Sequence, residues 1–220
     1  FKRNKYDSAI KYYNEAVNNR YAGFIYALYQ KAIIEGLRGK TTNKILALDN
    51  IVEDYPSSEY ADNALLQLGI TYLEIGKNEQ ATQPLRKLTS EYPNSPLMNQ
   101  ALIKLGLITY KQGNLPTSIN YYKQVFSHNP NAIEAQAALT ALEEIYVDDL
   151  SKPDEYFAFL ETVPGYSVEE DEKEAINFKT AESQYENGNY EKAITAYTNY
   201  LRKYPRGRNL LTAYYHRGES

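Results

Sequence analysis

Residues 64–93 read ALLQLGITYLEIGKNEQATQPLRKLTSEYP, and this stretch decides the fold. Ala64, Leu65, Leu68, Gly69, Tyr72 and Leu73 recur at helical spacing. Gly76-Lys77-Asn78 interrupts the pattern. A second helical pattern runs through Ala81, Leu85, Leu88 and Tyr92 and stops at Pro93. The segment therefore reads as two helices joined by a tight turn. Gly69 in the first and Ala81 in the second are small enough to let the two helices approach closely. Tyr72 and Leu85 are large enough to fill the space between this hairpin and the next.

The same plan recurs along the chain. Pro56, Pro93 and Pro130 are spaced by 37 residues, and Pro205 follows 75 residues later, close to two further periods. Ala64, Gly69, Gly76, Ala81 and Pro93 map onto Ala101, Gly106, Gly113, Ser118 and Pro130. Ala181, Gly188, Ala193 and Pro205 keep the same internal spacings, as do Ala32, Gly39 and Pro56. Helix-start features agree with this register. Ser95-Pro96 suits an N-cap followed by a proline at the first helical position. Asn131 with Glu134 and Ser167 with Glu170 have the spacing of a capping box. Pro84 falls inside a helical pattern and is expected to bend it locally. No segment alternates with period two, so no sheet is expected. A single hairpin cannot bury both of its faces, so the hairpins must stack: the fold class read here is an all-α solenoid of antiparallel helix hairpins. The fourth unit departs from the pattern. Glu143 stands in the place of Gly106, Pro164 arrives early, and Pro164-Gly165-Tyr166-Ser167 leads into the acidic run Glu169–Glu172.

Composition limits the function. The 220 residues carry a net charge of −4, a mean hydropathy of −0.61, no cysteine and two histidines, His128 and His216. Disulfides and thiolate chemistry are ruled out, and the mild acidity argues against a nucleic-acid partner. The longest run lacking charged or strongly polar residues, Tyr21–Tyr29, is too short to span a bilayer. Neither histidine has a second histidine four residues away, and Asp148-Asp149 and Asp171-Glu172 are adjacent carboxylates that diverge on a helix. No enzyme activity, metal or cofactor is expected. The 23 tyrosines, with no tryptophan, suit either packing between hairpins or recognition.

The order small–x₂–Tyr–x₃–Gly–x₄–Ala–x₃–Leu–x₇–Pro from Gly69 to Pro93 resembles the tetratricopeptide repeat (TPR), in a 37-residue form lengthened around the proline junction. The resemblance implies a right-handed superhelix over residues 1–220, with repeats at about 21–57, 58–94, 95–131, 132–167 (degenerate) and 168–206. Partial repeats are expected at 1–20 and 207–220, as in a piece of a longer repeat protein. It also implies a non-catalytic scaffold whose first helices line a concave groove for a peptide or segment of a partner protein. The groove positions carried over are Tyr26, Tyr29 and Ile33; Asn63, Leu66, Ile70 and Glu74; Gln100, Ile103, Leu107, Tyr110 and Lys111; and Phe178, Glu182 and Tyr185. The Tyr-Pro-x-Ser endings are similar to those of bacterial envelope TPR proteins. This similarity implies a periplasmic or outer-membrane-associated place, with the cytoplasm left open, and an alternative role as a structural subunit of an envelope complex that uses its convex face and ends.

Overall fold

A computed structural model describes residues 2–220, with side chains from Tyr6 onward. The described residues form twelve α-helices and no strand: α1 (Lys2–Asn18), α2 (Phe24–Leu37), α3 (Thr41–Asp54), α4 (Ala61–Glu74), α5 (Asn78–Glu91), α6 (Met98–Lys111), α7 (Leu115–Val125), α8 (Ala132–Glu143), α9 (Pro153–Leu160), α10 (Glu170–Glu186), α11 (Tyr190–Lys203) and α12 (Leu210–Glu219). A 3₁₀ turn at Phe126–His128 follows α7, and a π turn at Glu144–Asp149 follows α8. The chain divides into two compact units, Phe1–His128 and Asn129–Ser220.

Four hairpins, α2/α3, α4/α5, α6/α7 and α10/α11, share one turn. Three residues join the helices, and the middle one is Gly39, Gly76, Gly113 or Gly188, each at φ between 72° and 74°. The glycine N–H donates to the carbonyl three residues back, and the next N–H reaches five back: Gly76 to Leu73 at 3.0 Å and Lys77 to Tyr72 at 2.8 Å, with the same pair at Gly39, Gly113 and Gly188. This left-handed closure satisfies carbonyls that the helix end would otherwise leave unpaired, and it needs a residue without a Cβ.

The small positions act as the spacing predicts. A Cβ added at Gly69 would lie 2.5 Å from Leu85, and one added at Gly106 would lie 2.7 Å from the Tyr122 ring. Ser118, fully buried, donates its hydroxyl to the Gly106 carbonyl at 2.8 Å and so ties α7 to α6. Ala181 and Ala193 are likewise sealed between α10 and α11. The core of the first unit is a continuous band of Leu48, Ile51, Leu65, Leu85, Leu88, Leu105 and their neighbours. In the second unit Tyr197 and Tyr200 take the place of leucines around Ala181, Ala193 and Ala213.

Helix starts differ in part from the sequence expectation. The Asn131–Glu134 capping box forms, with the Asn131 side chain accepting from Glu134 N–H at 3.0 Å and Asn131 N–H donating to Glu134. Ser167 and Glu170 do not form one. Glu169 precedes α10 with an extended backbone, and Ser167 lies too far upstream to cap, so three acids in the first turn meet the helix dipole instead. Ser95-Pro96 forms a turn before α6 rather than its first residues. Ser95 Oγ accepts from Leu97 N–H at 3.1 Å and donates to Asp62 at 2.6 Å, linking one hairpin to the next. Helix α5 runs through the buried Pro84 without interruption.

The fourth unit is irregular for a local reason. Glu143, at the glycine position, cannot be buried in the hairpin, and it turns outward to pair with Lys179 of α10 at 2.8 Å. The helix then widens into the π turn. Leu150 N–H reaches Ile145 O at 2.9 Å, and Lys152 N–H reaches Tyr146 O at 2.7 Å. The Asp148 carbonyl accepts from Gln184 Nε2 at 2.6 Å. Ser151 closes the segment at φ 55°.

Candidate functional site

The first helices of the first unit, α2, α4 and α6, carry three registers at the repeat spacing: Tyr26, Asn63 and Gln100; Tyr29, Leu66 and Ile103; Ile33, Ile70 and Leu107. Their exposure is uneven. Tyr26 is 44% and Leu107 38% exposed, Gln100, Glu74 and Lys111 are exposed, and Ile33, Asn63, Ile103 and Tyr110 are half-buried. Leu66 is only 4% exposed and belongs to the core, so it supports this face from beneath and cannot touch a partner. Ile70 and Tyr29 also pack against that core.

Tyrosine rings dominate one end of the face. Tyr26 meets Tyr13 edge to face at 6.4 Å and lies 5.7 Å from Tyr60, on which Tyr29 stacks at 5.6 Å. Burial, and then the Asp62 carboxylate, push the Tyr29 hydroxyl above its ordinary range. Asp62 itself accepts from Asn63 N–H at 2.7 Å and from Ser95, which anchors this end of α4.

In the second unit the three predicted positions are taken up by the chain's own contacts. Phe178 lies 5.3 Å from Tyr200 and 6.3 Å from Tyr197. Glu182 accepts the Tyr197 hydroxyl, and its Oε1 is 2.9 Å from His216 Nδ1 of α12. Tyr185 stacks flat on the His216 ring at 4.5 Å. These half-buried residues join α10 and α11 to α12. A separate cleft of about 520 Å³ lies among Ser151, Lys152, Asn177, Asn199 and Arg202, rimmed by the Lys152–Glu155 and Lys203–Asp154 pairs.

The sequence reading missed the neighbourhood of Ser58, Glu59 and Tyr60, which abuts Tyr26. One feature of the sequence marks it: residues 45–76 contain six carboxylates and no lysine, arginine or histidine. Among the described residues, no group of His, Asp and Glu suited to a metal comes together, and no helix is long and apolar enough to cross a membrane.

Two segments, residues 63–95 and 174–206, match the family model of the tetratricopeptide repeat. One lies in each unit, on α4/α5 and on α10/α11. Among solved structures the chain is similar to a tetratricopeptide repeat protein from Parabacteroides merdae ATCC 43184. The identity is 18%, the match covers 89% of this chain and 71% of that one, and the TM-score is 0.54. No curated protein matches the chain. The fold and these matches define an all-α helical-repeat protein, two hairpins of which match the tetratricopeptide repeat, a repeat that generally mediates contacts between proteins.

Proposed function

We propose that the protein is a non-catalytic scaffold that holds a segment of a partner protein against the first helices α2, α4 and α6. The observation that supports this reading is a set of uncovered side chains on the first helices. Tyr26 and Gln100 share one register, Leu107 stands in another, and Ile103 and Tyr110 are partly open beside them. A tyrosine, an amide and a leucine left open on α2 and α6 suit an extended or helical segment that is read side chain by side chain. On the strength of the Tyr-Pro-x-Ser hairpin ends, we place this scaffold in a bacterial envelope.

The reading is tested by site-specific photo-crosslinking in the source cell. A crosslinking residue at Leu107 or Tyr26 is expected to yield one discrete adduct. The same residue at Leu46, which is 63% exposed on the second helix α3, is expected to yield none. Adducts from Leu46 but not from Leu107 would replace this reading with that of an assembly subunit working through its second helices.

A further inference from the structure

Beside Tyr26 the chain forms a cavity of about 370 Å³ whose walls include Phe24, Ile25, Tyr26, Ser58, Glu59 and Tyr60. Two of its rings, Tyr26 and Tyr60, are inclined at 51° with centroids 5.7 Å apart. Tyr29 backs Tyr60, and Tyr55 meets Phe24 edge-on at 5.2 Å, so the aromatic walls are held from behind. Among the described residues, the one charged wall is the exposed Glu59 carboxylate, and the Ser58 hydroxyl has no hydrogen-bond partner. We infer that this pocket takes the guanidinium of an arginine carried by the partner segment. The inference rests on the scaffold reading and gives its partner a chemistry.

Three observations converge on a cation. Aromatic faces carry negative potential and attract a cation above them, most strongly where water is displaced. Glu59 supplies the counter-charge at the rim, and the Ser58 oxygen can accept one N–H. The surroundings repeat the sign. Asp62, whose charge reaches the Tyr29 hydroxyl behind the pocket, carries the same sign as Glu59, and neither carboxylate forms an ion pair among the described residues. The field there is one that a basic segment would neutralise. Burial, and then Glu59, raise the Tyr60 hydroxyl above its ordinary range. Arginine fits better than lysine: its planar, weakly hydrated guanidinium stacks on a ring while its edge still donates to a carboxylate.

The test is an NMR titration of the full chain, labelled with ¹³C in its tyrosine rings. The probe is an uncharged Gly/Ser nonapeptide with a single central arginine, compared with twins that carry citrulline or lysine there. The arginine peptide is expected to shift the Tyr26 and Tyr60 ring resonances saturably. The citrulline twin, equal in shape but uncharged, should bind about tenfold more weakly, and the lysine twin should fall between them. Glu59→Gln, an exposed change that leaves the fold alone, and Tyr26→Leu, which keeps the apolar bulk, should each weaken arginine binding about fivefold or more, with unchanged helical circular dichroism. Equal affinity for the arginine and citrulline peptides, or arginine binding untouched by both variants, overturns the pocket. The two readings fail separately. Crosslinks at Leu107 together with indifference to citrulline would remove the pocket and keep the scaffold. Arginine-specific shifts without any Leu107 adduct would keep the pocket and remove the scaffold.

Discussion

Gly106 and Gly113 stand seven residues apart and do different work. Gly106 is enclosed, with the Tyr122 ring 2.7 Å from where a Cβ would sit, and Tyr122 is itself buried and cannot swing away. Gly113 has open space around it and is needed only for its φ of 74°. Gly106→Leu should therefore force α6 and α7 apart and cost ~3 kcal/mol or more. Gly113→Ala should cost about 1 kcal/mol, the strain of a left-handed alanine. Urea denaturation of the two variants checks this, and equal midpoints would contradict the register. This register was legible from sequence because glycine at helical spacing has few other uses. The fate of Leu66 was not. Its place in the repeat matches that of half-exposed Ile103, and it is closed over only by the packing of its neighbours. Ser167 likewise has the right spacing to Glu170, yet the helix begins where the acids stand.

At the scale of helices, hydrogen-bonded phenols help to join α10 to α11. Tyr197 donates to Glu182, Tyr200 donates to Glu174 at 2.8 Å, and Tyr204 accepts from Asn177 at 3.2 Å. Burial first, and then Glu170, Asp154 and Glu174, push the Tyr204 hydroxyl up to about 12. Burial, followed by the Glu182 hydrogen bond, raises Tyr197 further still, and Tyr156 moves the same way through burial. The fold favours the protonated, neutral phenol, so folded values lie above the unfolded value of about 10. The stability these groups supply is complete below pH ~10 and is lost as pH climbs through the folded values. Urea midpoints are expected to stay level from pH 7 to about 9.5 and to fall between about 10 and 12, with a shallower fall in Tyr197→Phe. A midpoint that rises with alkali would contradict the arrangement. Sequence alone placed Phe178, Glu182 and Tyr185 on a binding strip. It could not show that His216 and Tyr197 occupy them, because that contact joins residues 15 to 34 apart.

Across the whole molecule, each hairpin packs chiefly on its sequence neighbours, and residues 1–128 and 129–220 each gather their own core. Stability in such a stack is a sum of local terms. Residues 1–128, produced alone, should keep a helical spectrum and melt cooperatively. A fragment that is unfolded by circular dichroism would contradict this independence of its core. The hairpin period was legible at this scale through Pro56, Pro93 and Pro130. The irregular fourth unit was legible only as a departure from it, since nothing in Glu144–Asp149 announces a π turn. That turn bears on how such a chain tolerates insertion and deletion. A helix closing i→i+5 rings houses more residues per turn than an α-helix does, so an extra residue can be absorbed inside the rod instead of being extruded as a loop. Removing one there would rotate everything beyond it by about 100° on an α ladder, swinging the Asp148 carbonyl away from Gln184. The π turn is thus a length adjuster, letting one unit differ in residue count from the 37-residue period while still handing the chain on to α10 in a position to pack.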